Sequence, residues 1–163
     1  MLALDERLTR RLRIAERPGP VRSLAALLAH SGDSWLWGAL LIPAALFAPR
    51  EYALRAALML AAIFILALIV LAVKFSVRRS RPEGEWGQVY RKTDPHSFPS
   101  GHAARAVLLA VLAVGLGPAW LAAALVVWAP LVALARVAMG VHYLLDVLAG
   151  AVLGLLVGVA LLW

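Results

Sequence analysis

Four stretches of 16 residues or more carry no Asp, Glu, Lys or Arg: residues 34–49, 56–73, 106–135 and 147–163. A helix crossing a bilayer needs about 20 mostly apolar residues, with roughly 17 as a lower bound. Edge residues such as Ala53, Leu54, Ala103 and Ala104 lengthen the shorter runs. Gly115-Leu116-Gly117-Pro118 divides the third run, because proline cannot continue a helix and glycine commonly ends one. The expected spans are 34–48, 53–76, 101–116, 118–138 and 141–162. The first and third are short, which calls for local thinning or partial insertion. The fold class is therefore all-α: an integral-membrane helical bundle of about five spans. A hydrophobic fraction of 63% with 15% charged residues agrees, since soluble domains have about 45–50% and 25%. A disordered chain is excluded on the same ground, and the number of runs reaching spanning length disfavours a water-soluble helical core. With no cysteine, disulfides, Cys-ligated zinc and thiol catalysis are excluded too.

The first 20 residues differ. Arg7, Arg10, Arg11, Arg13 and Arg17 alternate with apolar residues, and Leu4, Leu8 and Leu12 share one helical face. This pattern predicts an amphipathic helix lying on the membrane, ended by Pro18-Gly19-Pro20. A cleaved signal peptide is not expected, because no apolar core follows the N-terminal charges. Val21 to Ala29 is too short to span and reads as re-entrant or interfacial. The division is thus 1–20 as a surface helix and 21–163 as the membrane domain. Residues 78–100 form its one long polar loop, and loops of that length are often functional.

Polar groups beside membrane spans are costly and tend to be functional. Three clusters stand out: Lys74 to Pro82, Pro99-Ser100-Gly101-His102, and Arg136 with His142 and Asp146. Five spans put all three on one side of the membrane. Lys74, Arg81 and Arg136 supply a point charge and two forked donors, a cage for a phosphate. Ser100 and Gly101 open a helix, where backbone N–H groups favour an anion and glycine allows close approach. His142 and Asp146, four apart, share a face if both are helical. The carboxylate then holds one imidazole nitrogen and leaves the other free to attack. His102 is a second imidazole, able to give a proton to a leaving group.

Lys74-x6-Arg81-Pro82, Pro99-Ser100-Gly101-His102 and Arg136-x5-His142-x3-Asp146 together resemble the three signatures of the type 2 phosphatidic acid phosphatase superfamily. The resemblance covers roughly residues 34–162. Ala135 departs from it, standing where the family usually has serine. The resemblance implies a metal-independent lipid phosphatase with no cofactor. His142 would form a phosphohistidine, Asp146 would orient it, and His102 would protonate the departing oxygen and then activate water. Lys74, Arg81, Ser100, Gly101 and Arg136 would hold the phosphoryl oxygens. The favoured substrate is a polyprenyl phosphate or diphosphate. A glycerophospholipid is the alternative, and a non-catalytic lipid-phosphate binding protein the alternative from another class. The related haloperoxidases are large and soluble. A nucleic-acid partner is not expected, because the basic residues are split between a membrane helix and a loop.

Other residues read more plainly. His96 and Arg105 are candidates for a substrate gate, and Arg105 could instead pair with Asp94. Arg78 and Arg79 read as interfacial anchors, and Asp33 as a helix cap. Trp35, Trp37, Trp120 and Trp163 fall near span ends, as interface anchors do, and Trp86 sits in the polar loop within reach of lipid. Gly150, Gly154 and Gly158 form a small-residue stripe, for packing within the bundle or for a homo-oligomer. The location is a prokaryotic cell membrane. The basic residues outside the spans, including Arg91 and Lys92, place the N-terminus and site on the cytoplasmic side.

Overall fold

The structure, a computed structural model, describes residues 2–86, 90 and 94–163. Its helices are α1 (Leu2–Leu12), α2 (Pro20–Ser31), α3 (Ser34–Phe47), α4 (Arg50–Val77), α5 (Gly101–Leu116), α6 (Ala119–Ala138) and α7 (Leu144–Leu162). Among the described residues there is no strand beyond an isolated bridge between Ser80 and His96. Helices α4, α6 and α7 are long and apolar enough to cross a membrane. Helices α3 and α5 have 14 and 16 residues, about 21 and 24 Å at 1.5 Å per residue. Phe64, Val127, Leu134 and Leu156 all point outward from the bundle, each more than half exposed. In water that surface would be a liability; against hydrocarbon it is the expected one.

Helix α5 is the central element. It packs against α7, α6 and α4, and its Leu108, Leu109 and Leu112 are fully buried. Apolar burial gives helices no preference for one another over lipid tails, so close van der Waals packing must do the work. Small residues permit it. A Cβ on Gly150 would lie 2.4 Å from the Ser100 carbonyl oxygen, one on Gly154 2.1 Å from that of Ala104, and one on Gly158 2.9 Å from Val111. The glycine stripe of α7 is therefore spent inside the chain, against α5, and does not offer a face to a second copy.

Three expectations change. Helix α7 begins at Leu144, so His142 lies in the preceding turn and does not share a helical face with Asp146. Gly140 makes that turn, with a left-handed φ of 68°, a conformation that costs glycine little. Helix α1 ends at Leu12, ahead of the prolines, and it docks on the bundle by its polar face. Buried Thr9 and Asp5 accept hydrogen bonds from the backbone N–H groups of Leu144 (3.0 Å) and Leu145 (3.0 Å). The first N–H groups of a helix have no internal partners, and here a distant helix supplies them for α7. Leu4, Leu8 and Leu12 remain outward, as an amphipathic surface helix requires. Lastly, Trp37 is no interface anchor: it packs on Trp128 at 5.2 Å and donates to the Ser31 carbonyl. Helix α2 lies along α6, with Ala25 and Ala29 clustered with Ala135 and Met139.

Gly154→Ala forces a methyl into the backbone of α5. It is expected to destabilise the protein by about 1–3 kcal/mol, the usual range for overpacking, measured by thermal unfolding in detergent. An unchanged midpoint would mean the two helices are not held at this distance.

Candidate active site

The polar ends of α4, α5, α6 and α7 meet at one end of the bundle, where α1 also docks. A cavity of about 230 Å³ lies there, walled by α4, α5, Asp94 and the turn between α6 and α7. Lys74, Asp94, Gly101, His102, Arg105 and His142 line it toward the polar end. Leu66, Ala67, Val70 and Leu71 of α4 continue it toward the apolar middle. One wall can thus meet a phosphate and the other a hydrocarbon.

His142 is buried on the turn between α6 and α7. Its Nε2 lies 3.2 Å from Arg81 Nη1. A guanidinium can only donate, so Nε2 carries the lone pair and Nδ1 the proton. Nδ1 faces Asp146 Oδ2 at 3.6 Å, longer than a hydrogen bond, with the Ser97 backbone beside the ring. Burial, and then the charges of Arg136, Arg81 and Lys74, hold the His142 imidazole well below the ordinary histidine range. The ring is therefore neutral at pH 7, the form that can act as a nucleophile. Asp146 is fixed by other groups: Tyr143 N–H donates to Oδ2 at 2.9 Å and Arg79 Nη1 to Oδ1 at 2.7 Å. The Asp146 carbonyl accepts from the Ser100 N–H at 2.9 Å.

Of the three predicted cations Lys74 lines the cavity, while Arg81 and Arg136 are buried off its wall, with carboxylates nearby. Lys74 is paired with Asp94. Arg81 donates to Asp94 Oδ2 at 2.8 Å, to the Asp94 carbonyl at 2.7 Å and to the Val141 carbonyl at 2.8 Å. One carboxylate oxygen therefore bridges Lys74 and Arg81. Arg136 is fully buried, stacks 4.6 Å from the centre of the Tyr90 ring and donates to its hydroxyl at 3.1 Å. Its Nε has no hydrogen-bond partner.

Some predicted residues take other places. Ser100 caps α5, its hydroxyl accepting from Ala103 N–H, and its own N–H is committed to Asp146; it does not line the cavity. His96 stands edge-on to Phe75, 5.6 Å between ring centres, and is also outside the cavity wall. Arg105 does line the cavity but donates to the Gly32 carbonyl, while Asp94 pairs with Lys74 and Arg81. Arg78 is exposed and caps α4, as an anchor would. Arg79 is no free anchor: it bridges Asp146 and Asp5 and lies 3.9 Å from the centre of the Tyr143 ring. Ala135 sits in the alanine cluster between α6 and α2, where a serine hydroxyl would be buried among apolar groups. Trp86 joins the same cluster, with Arg22 over its ring at 5.0 Å, rather than facing lipid. Arg91 and Lys92 lie outside the described residues. The structure adds Asp5, Asp33, Arg79 and Tyr90 around the site; Arg79 falls in the first polar cluster, but no sequence spacing ties any of them to its long-range partner.

Residues 52–163 match the PAP2 superfamily. The chain is 37% identical to the decaprenylphosphoryl-5-phosphoribose phosphatase of Mycobacterium tuberculosis, over 89% of this chain and 80% of that protein. Its fold is similar to the crystal structure of LpxE from Aquifex aeolicus: TM-score 0.77, 25% identity, covering 98% of this chain and 94% of that one. It is also similar to the transmembrane PAP2-type phosphatidylglycerolphosphate phosphatase of Bacillus subtilis. There the TM-score is 0.79 with 25% identity, over 98% and 83% of the two chains.

Two substitutions probe the cavity. A Cβ on Gly101 would meet only Val70, at an ordinary 3.5 Å. Gly101→Ala should therefore leave the unfolding midpoint unchanged while lowering phosphatase kcat/KM at least tenfold; equal loss of stability would assign the glycine to packing. Asp94→Asn removes the charge that competes for Lys74 and Arg81. The vanadate concentration giving half-inhibition should fall about tenfold, the equivalent of one charge-assisted hydrogen bond. A rise would show that Asp94 assists anion binding.

Proposed function

The chain belongs to the PAP2 superfamily of phosphatases, and from that premise we propose that it removes a phosphate from the headgroup of a polyprenyl-linked membrane lipid through a phosphohistidine. The cavity carries this reading, because imidazoles and cations close one end and apolar α4 side chains line the other. A substrate that fills both is an amphiphile with a terminal phosphate. The M. tuberculosis relative, named for a decaprenyl-linked phosphoribose, favours the polyprenyl class. The B. subtilis structural neighbour favours a glycerophospholipid as the second reading.

His142 Nε2 attacks phosphorus while Lys74, Arg81 and Arg136 hold the equatorial oxygens. Charge spreads over those oxygens in phosphoryl transfer, and preorganised cations in a dry site stabilise it strongly. The Gly101 N–H at the start of α5 adds a backbone donor beside the cavity. The proton on His142 Nδ1 stays with the ring, and Asp146 stabilises the positive phosphohistidine. His102 gives a proton to the departing oxygen. It then takes one from the water that attacks phosphorus, freeing neutral His142 and inorganic phosphate. In this reading neither a metal ion nor a cofactor takes part.

The chain is an integral membrane protein. Its N-terminal helix docks at the site's end through Asp5 and Thr9, which supports one side for both. We assign that side to the cytoplasm by the excess of Arg and Lys there.

The test is phosphate release by the purified protein in detergent with EDTA. The substrates are a polyprenylphosphoryl-phosphoribose 5-phosphate, undecaprenyl phosphate and diphosphate, phosphatidic acid and phosphatidylglycerophosphate. A polyprenyl substrate should be preferred, with EDTA without effect. His142→Ala should abolish turnover, and Asp146→Asn should lower it about 100-fold or more. Preference for a glycerophospholipid would establish the second reading. Loss of activity in EDTA, or turnover by His142→Ala, would overturn the mechanism.

A further inference from the structure

Asp33 occupies the turn between α2 and α3, outside the three signatures and outside the residues that match the family. Its backbone stands at the cap position of α3, yet its side chain makes no capping bond. The carboxylate faces the cavity's second histidine instead: Oδ1 lies 2.6 Å from His102 Nε2. Oδ2 accepts from His30 Nδ1 and Trp35 Nε1, each at 3.1 Å. Burial raises the cost of its charge, but the hydrogen bond and charge of His102, with those of His30 and Trp35, hold Asp33 below the ordinary carboxylate range. An ionised carboxylate only accepts, so His102 Nε2 carries a proton and Nδ1 is the ring nitrogen left for substrate.

The turn is tied to α5 at a second point. Arg105, one helical turn beyond His102, donates to the carbonyl of Gly32. The turn also runs close to the imidazole: a Cβ added at Gly32 would be 3.4 Å from His102 Cδ2, ordinary contact, and 3.0 Å from Val132. The ring is thus held by its Nε2 edge against a fixed carboxylate, on the wall of the cavity.

We propose that Asp33 is the positioning residue of His102: it binds Nε2–H, turns Nδ1 toward the ester oxygen and stabilises the imidazolium. This rests on the reading of His102 as proton donor and acceptor. In the first half-reaction the Nδ1 proton passes to the ester oxygen as the P–O bond breaks and the bond to His142 forms. In the second, Nδ1 takes a proton from water as the new P–O bond forms and the P–N bond breaks. Asp33 neither gains nor loses a proton in either step. It makes the charged ring tolerable in a buried site, as a carboxylate does for imidazolium generally.

The experiment compares two phosphate monoesters on the full chain in detergent, one with an alkyl and one with a nitrophenyl leaving group. It reads kcat/KM, which reports the steps through departure of the leaving group. A nitrophenolate leaves without a proton, whereas an alkoxide does not. His102→Ala and Asp33→Asn should each lower the alkyl value at least about 100-fold, within the range of general acid catalysis, and the aryl value less than tenfold. Asp33→Glu should recover part of the alkyl loss. The alkyl-to-aryl ratio is taken within one preparation, so it is independent of the fraction of protein that folds. If His102→Ala lowers both substrates equally, His102 is not the proton donor and the underlying reading fails. If His102→Ala changes the ratio and Asp33→Asn does not, the role given to Asp33 is wrong while the reading of His102 stands.

Discussion

The site depends on how closely α7 crosses α5. Gly150 and Gly154 let the two backbones approach to distances no side chain would permit. At the top of that crossing the Ser100 N–H reaches the Asp146 carbonyl, so the start of α5 is fastened to the start of α7. His102 and Gly101 belong to one helix, Asp146 to the other, and His142 to the turn just before it. In a bilayer the apolar effect does not draw helices together. Geometry of this kind must come from close packing and polar ties, and here both act at the same crossing.

Charge is handled by the same economy of placement. Buried charges are costly unless paired. Lys74 and Arg81 share Asp94, and Arg79 joins Asp146 to Asp5. Arg136 differs, meeting the Tyr90 ring and hydroxyl, and its Nε stays unpartnered. The carboxylate between Lys74 and Arg81 keeps two cations close together that would otherwise repel. Helix α1 extends the pattern outside the bundle: Asp5 meets both Arg79 and the first turn of α7. A surface helix thereby helps fix the carboxylate that faces His142.

Some of this was readable in the chain. The charge-free runs located α3 to α7, and the three signatures brought Lys74, Arg81, Gly101, His102, Arg136, His142 and Asp146 to one end. Those inferences need only span length and the order of elements. The relation between His142 and Asp146 was not readable, since a spacing of four fits a helix as well as a turn followed by a cap. Ser100 and Gly101 are adjacent and looked alike as phosphate donors, yet one N–H is spent on Asp146. Asp33 and Arg79 have ordinary local readings as a cap and an anchor, and Asp5 has none. Their long-range partners, His102, Leu145 and Asp146, lie where sequence spacing carries no information.

The sequence by itself determined the solvent, the class of fold and the chemistry at the membrane surface. Those follow from local composition and short-range spacing. Tertiary structure alone decided which carboxylate faces which histidine. It also decided that the glycine stripe is consumed within the chain and that the polar face of α1 turns inward. Pairing of this kind is set by distances between segments far apart in sequence, and only the packed helices fix those distances.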